Sequence, residues 1–205
     1  MVEHAVQDED AAQDKDGTAV PTREACWQGR KVGLAPVDVD DAELVYGWRF
    51  DPVAAHEVGY WPLSLSALRE RLERNRDNED RDDFLVLLPD GTPIGHIALV
   101  EQDLADGTAE IHLMLDSRYR GQGYGTNAVD ALVDFAFGEL PMHRIETITH
   151  TTNTAALAVL AKAGFVQEGV RRSACLHRGR RHDVAVLSLL RDEWEALTRP
   201  RAWDV

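Results

Sequence analysis

The chain has 205 residues, with 36 Asp and Glu against 22 Lys and Arg, a formal net charge of −14. That length suits one domain with a real core, and that charge argues against a nucleic-acid groove while leaving room for a local basic patch. Cys26 and Cys175 belong to no C-x-x-C, so neither a disulfide framework nor a metal cluster is expected, and no run approaches the ~20 apolar residues of a membrane span.

The first residues lack the basic and apolar regions of a signal peptide, so a reduced, cytoplasmic protein without membrane contact is expected. Residues 1–24 hold Glu3, Asp8, Glu9, Asp10, Asp14, Asp16 and Glu24 against Lys15 and Arg23, with no apolar periodicity. Such a stretch buries too little to offset chain entropy, which predicts a disordered acidic tail. The remainder reads as one domain over 25–198 and a short C-terminal tail over 199–205.

Order is expected to begin near Trp27, and Lys31 to Val37 alternates like a strand. Asp40 is placed to cap a helix carrying Leu44, Val45 and Trp48, which Asp51-Pro52 stops. A second helix starts near Ser64 or Ser66 with Leu68 and Leu72 on one face, and the charged run Asn75 to Asp83 reads as a solvated turn. Two strands follow, Phe84–Leu88 and Ile94–Val100, joined through Asp90-Gly91, a strong hairpin signal. A turn over Asp103–Gly107 leads into a third, Ala109–Leu115.

Next comes Arg120-Gly121-Gln122-Gly123-Tyr124-Gly125, followed by helical spacing at Ala128, Val129, Leu132 and Val133. Strand, glycine turn, helix is an arrangement in which backbone N–H groups converge on an anion. A tight strand-to-helix turn with one solvated Arg would show the same glycines. No Lys follows them, so a Walker loop is excluded, and Thr126 stands where a dinucleotide fingerprint needs its third Gly. R-x-x-G-x-G fits. Beyond Pro141, Arg144 to Thr149 reads as a strand parallel to its predecessor. Asn153 opens a helix that Gly164 closes, and two strand-like runs, Val166–Val170 and Asp183–Leu190, flank the basic turn Arg178 to Arg181.

R-x-x-G-x-G, Asn153 with Ala163-Gly164-Phe165, Leu34-Ala35-Pro36, His143 to Glu146 and the run Asp183 to Trp194 together resemble the GNAT superfamily of N-acetyltransferases. The similar branch is that of ribosomal-protein N-terminal acetyltransferases and spermidine acetyltransferases, and the resemblance spans Lys31 to Trp194. It implies an α/β fold, a mixed and mostly antiparallel sheet of about seven strands flanked by about four helices. It also implies acetyl-CoA as acyl donor. Backbone N–H groups of Gln122, Gly123, Tyr124, Gly125 and Thr126 would cradle the pyrophosphate beside Arg120. Main-chain groups of Leu113, Met114 and Leu115 would pair with the pantetheine like an added strand. Asn153 would bond the same arm, although a helix N-cap uses the same side-chain oxygen.

Acetyl transfer to an amine needs the amine neutral, so a base helps, directly or through water. No G-x-S-x-G elbow is present, and the superfamily works by direct transfer. Glu110 stands where related acetyltransferases often carry a functional Glu, and strand alternation puts His112 and Met114 on its face. An imidazole titrates near ~6.5, which suits base work, yet this branch often has a small residue at the His112 position. Either side chain could instead be structural. The places where family members carry an acidic Tyr or Ser hold Leu160 and Ala156. Trp48, Tyr60 and Trp61 are candidates for the acceptor wall or for plain core packing. His177 and Arg178 stand where a carboxylate or phosphate, or only solvent, would meet them.

The expected activity is acetyl-CoA-dependent transfer to a primary amine: a protein N-terminus, a polyamine, an amino sugar or an antibiotic. No metal and no nucleic acid is expected, and the chain would act as a monomer or homodimer. The missing Tyr and Ser keep a non-catalytic acyl-CoA-binding domain open, and a longer acyl group is a third possibility.

Overall fold

The computed structural model describes residues 22–49 and 63–204. Within them eight strands form one sheet: β1 (Trp27–Gln28), β2 (Gly33–Pro36), β3 (Asp82–Leu87), β4 (Pro93–Asp103), β5 (Thr108–Leu115), β6 (Arg144–His150), β7 (Val166–His177) and β8 (Arg180–Leu190). Their spatial order is β1-β2-β3-β4-β5-β6-β8-β7. Every neighbouring pair is antiparallel except β5 and β6, which are parallel as the crossover rule requires.

Five helices are described: α1 (Ala42–Arg49), α2 (Leu65–Asn75), α3 (Tyr124–Gly138), α4 (Thr154–Lys162) and α5 (Arg191–Ala196). One sheet face carries Val86, Ile97, Leu99, Ile111, Ile145, Leu187 and Leu189 under α3 and α4. The other carries Leu85, Leu87 and Met114 under α1 and α2. Covering both faces explains why β3 reads as a continuous apolar run, Phe84-Leu85-Val86-Leu87, with no alternation.

Local signals act where they stand. Ser64 caps α2, accepting from Ala67 N at 3.2 Å, and Gly91 takes φ 83° in the β3–β4 turn. The cap before α1 is Asp38, not Asp40: Asp38 and Asp41 form a reciprocal capping box around a 3₁₀ turn, Val39–Asp41, that runs into the helix. The expected stop at Asp51-Pro52 lies outside the described residues.

The sheet exceeds the expected count because β1 is two residues long and carries no periodicity. β7 and β8 are also longer than expected. Arg171, Arg172 and Ser173 continue β7 through a register shift, with all three exposed, so no apolar period marks the strand. Arg178 and Gly179 close the hairpin at φ 47° and 73°, both positive as a two-residue type I′ turn requires.

Of the stretch 1–24 set apart as a tail, residues 22–24 are described, and Arg23 bonds Gly91 O at 3.0 Å and Asp41 at 2.7 Å. At the other end, Arg199, Ala202 and Trp203 pack on α3. Asp134, 1% exposed, accepts from Trp194 Nε1 at 2.7 Å, both Arg199 NH groups at 2.8 and 2.7 Å, and Ala202 N at 2.8 Å.

Candidate active site

β5 and β6 start together and then part. Their pairing covers Thr108–Glu110 against Arg144–Glu146, while β6 continues beside β8 to His150. Thr147 Oγ1 still reaches Ile111 O at 3.0 Å. Beyond that point Leu113, Met114 and Leu115 have their β4 partners on one side only. Their main-chain groups on the β6 side border the opening, an edge that an extended ligand can join as a strand would.

The glycine loop closes one end of this opening. Gly121 and Gly123 take φ 75° and 86°, and Gly123 leads α3 with no side-chain cap. The N–H groups of a helix's first turn have no partners within the helix, so Tyr124, Gly125 and Thr126 present donors at its positive end. A Cβ on Gly121 would meet nothing within 4 Å, so the loop faces open space. Gly125 serves packing instead: a Cβ there would stand 3.3 Å from Leu115 Cδ1 and 3.4 Å from Val159 Cγ2, so its absence draws α3, β5 and α4 together. Uncapped N–H groups, glycine backbone and an open approach fit a pyrophosphate.

Two cations, Arg120 and Lys31, stand around the loop. Arg120 folds back, its Nε and NH2 each 3.3 Å from Leu115 O, and so braces the end of β5. Lys31 also comes to the loop, its Nζ 3.5 Å from where a Gly123 Cβ would be. Buried Asn127 on α3 holds it there, accepting from Lys31 N at 2.6 Å and Val32 N at 3.1 Å. The sequence signal for this is slight: one polar side chain inside an apolar helical stripe. Gln122 is exposed, its amide 3.3 Å from Arg118 O.

Asn153 caps α4 through Oδ1, which accepts from Ala156 N at 3.0 Å. Its Nδ2 has no protein partner among the described residues, so the cap takes the oxygen and leaves two N–H donors for a ligand. Leu160, 6% exposed, is part of the core.

Glu110 and His112 do share a face, with His112 Nε2 3.1 Å from Glu110 Oε1. Their side chains are 22% and 47% exposed, within reach of water. Two other carboxylates on this face are held by a cation. Glu146, opposite Glu110 in register, and Glu168 both bond Arg144. Arg144, together with Ser188, holds the Glu168 carboxyl at about 2. Further along the same face, His150, His177 and His182 cluster with Cys175, the His150 Nε2 lying 3.2 Å from its Sγ.

Trp48 is 5% exposed and packed among Val45, Leu68, Leu72, Leu85 and Met114. Tyr60 and Trp61 lie outside the described residues. No cluster among the described residues has a metal-holding arrangement, and no described helix is long and apolar enough to cross a membrane.

Comparison with known proteins agrees with this geometry. Residues 31–166 match the acetyltransferase (GNAT) domain model. The probable N-acetyltransferase YjcK of Bacillus subtilis is 30% identical over 180 residues, 82% of this chain and 98% of the relative. The spermidine N(1)-acetyltransferase of Escherichia coli K12 is 30% identical over 141 residues, 67% of this chain and 74% of the relative. The spermidine N-acetyltransferase of Vibrio cholerae, solved with CoA and spermine, superposes with a TM-score of 0.77 at 20% identity, over 80% of this chain and 98% of that one, a likeness of fold. An opening between parallel strands, a glycine-led helix and an Asn-capped helix lie inside the matched span, and the chain belongs to the GNAT family of N-acetyltransferases.

Proposed function

We propose that this acetyltransferase moves an acetyl group from acetyl-CoA directly to a primary amine, with Glu110 as the proton acceptor. The observation that carries the donor site is the parting of β5 and β6 beside an uncapped, glycine-led helix. Bound acetyl-CoA supplies an activated thioester acyl group. The chain binds it with the N–H groups of Gln122 to Thr126, with Lys31 beside the loop, with main-chain groups of Leu113, Met114 and Leu115, and with the Asn153 amide. Arg120 acts by holding the end of β5 in place.

Among the described residues, Glu110 bonds no Arg or Lys, and its one side-chain partner is His112. Unlike Glu146 and Glu168, its carboxylate therefore has no standing cation, and it is in place to take a proton from an incoming ammonium, directly or through one water. His112 orients that carboxylate and offers a second acceptor. No side-chain nucleophile is needed. In this reading the enzyme is cytoplasmic, a monomer or homodimer, and acts on small-molecule or peptide amines rather than on nucleic acid or at a membrane.

Leu160 and Ala156, where the family often has Tyr or Ser, favour a second reading, a domain that binds acyl-CoA without turnover. Thiol release from acetyl-CoA, followed across a panel of polyamines, amino sugars and peptides with free N-termini, separates the two. Release that requires an amine, with the product's mass raised by one acetyl group, is the expected result. Calorimetric acetyl-CoA binding without release on any amine would establish the second reading.

A further inference from the structure

We infer that the β7–β8 hairpin is an anion-binding rim of the acceptor site, and that the acceptor is a peptide with acidic residues after its free N-terminal amine. This rests on the amine-transfer reading above. Arg171, Arg172, Arg178, Arg180 and Arg181 lie within one hairpin of a chain whose net charge is −14. All are exposed, and among the described residues none forms an ion pair or a side-chain hydrogen bond. The nearby carboxylate, Asp183, is engaged with Ser173 N at 2.8 Å.

The rim adjoins the opening. Glu110 is opposite Glu146 in register, and alternation carries that face along β6 through Ile148 to His150. The His150 ring lies 5.4 Å from His182 and 6.2 Å from His177, which joins the stem of the hairpin to the end of β6. Arg180 is opposite His177, and Arg171 is opposite Val184, each two residues from His182 on the β8 side of the ladder. Both arginines thus share the histidines' face. Arg178 stands at the turn.

The extent of the row selects the ligand. The register shift bulges β7 between Arg171 and Cys175, so the row is measured along β8, where Val184 to Arg180 at about 3.3 Å per residue span roughly 13 Å. A small amine with one carboxylate or phosphate would engage one or two of these guanidinium groups. Several carboxylates along an extended chain would engage the row, each by the bidentate geometry that guanidinium offers. A polyamine at the rim would meet like charge within the screening length of about 8–10 Å, while acidic residues farther away are screened from it. A long polyanion such as RNA would be opposed by the chain's net charge of −14, whereas a short peptide would meet chiefly the hairpin.

The test compares two N-terminally free peptides of equal length, one with Asp and Glu after its first residue and one with Asn and Gln, alongside spermidine. The expected kcat/KM is at least about tenfold higher for the acidic peptide at low salt, the preference narrowing as salt rises. In R178Q/R180Q/R181Q that ratio falls toward unity while calorimetric acetyl-CoA affinity persists, and R171Q/R172Q gives the same test should the triple variant fail to fold. Equal rates on both peptides, an unchanged ratio in the variants (arginines that only guard the edge of β7), or spermidine preferred over both would overturn the rim while leaving acetyl transfer intact. If no amine is acetylated, the transfer reading fails, and fluorescence anisotropy of a labelled, N-blocked acidic peptide decides the rim. Binding that is lost in the variant upholds it; no binding, or tighter binding of an RNA oligonucleotide of equal charge, overturns it.

Discussion

The two halves of α3 are built on opposite plans. Its first turn follows Gly123, has no side-chain cap, and faces open space past Gly121. Its second half is closed by Asp134, whose carboxylate accepts from Trp194, Arg199 and Ala202 while 1% exposed. Burial and the neighbouring Asp134 raise the Asp130 carboxyl, although Arg199 opposes them from 3.2 Å. One half leaves its donors facing open space and the other satisfies its charges within the fold. N–H groups that face open space bond water and cost little, whereas the buried Asp134 needs partners from the protein, and the segment 199–204 supplies them.

The largest effect should come from a residue on neither half of α3. Glu110→Gln keeps shape and hydrogen bonding but removes the proton acceptor, so turnover should fall by about 10²–10⁴ at neutral pH. Acetyl-CoA affinity, set by α3 and its loop, should hold in calorimetry. Part of the loss should return as pH rises and more amine arrives neutral. If His112→Asn suffers the large loss instead, the base is His112; large losses in both variants would mark a coupled pair.

Arg199→Ala breaks the closed half. Asp134 would remain buried with its principal cation gone, which costs about 3–5 kcal/mol. Denaturant unfolding should show this, while acetyl-CoA should still raise Tm in the fraction that folds. An unchanged midpoint would show that Trp194 and Ala202 suffice for Asp134.

Gly123→Val breaks the open half. A β-branched residue at φ 86° is strained, and the turn must shift to relieve it. Loss of one or two charge-assisted hydrogen bonds should lower acetyl-CoA affinity by about 10–100-fold, with the free protein still folded by circular dichroism. Unaltered affinity would remove the loop from the donor site.

How much of this was legible depends on how local each cause is. The Asp90-Gly91 turn, the Ser64 and Asn153 caps and Gly164 at φ 99° act within a few residues, and the sequence reads them directly. R-x-x-G-x-G marks the loop but not the path of its arginine, since the contact of Arg120 with Leu115 O depends on how β5 ends. Asn127 meets Lys31 across 96 positions, and Asp134 meets Arg199 across 65, so no local pattern marks either. Trp48 was ambiguous because an aromatic beside two helices suits a wall as well as a core.

A pH dependence tests a third charged cluster, on the face that α1 and α2 cover. Burial would raise Asp83, but hydrogen bonds and charge from Arg81 and His96 outweigh it and hold the carboxyl well below the usual range. A depressed folded pKa adds stability that is present above the unfolded value, about 3.9, and is lost as pH falls through the folded one. Acid unfolding should therefore steepen below about pH 4. Asp83→Asn should flatten that limb and lower stability at neutral pH; an identical acid limb in the variant would assign it to other carboxylates.

The smallest effect should come from Lys31, and it sharpens the contrast between the halves of α3 most finely. Its ammonium approaches the loop because its own backbone N–H is held by Asn127, two turns from the buried Asp134. The side chain is solvated, so its attraction for a phosphate is screened and worth on the order of 0.5–1 kcal/mol. Lys31→Met retains the backbone bond and removes only the charge. It should weaken acetyl-CoA binding about two- to fivefold at low salt, and the difference from wild type should shrink toward nothing at about 0.5 M salt. Asn127→Ala should weaken binding at least as much, but with less response to salt, because it frees the whole turn and leaves two N–H groups unmatched. If Lys31→Met binds as wild type does at low salt, the open half of α3 relies on backbone N–H groups alone, and the ammonium beside Gly123 has no part in the donor site.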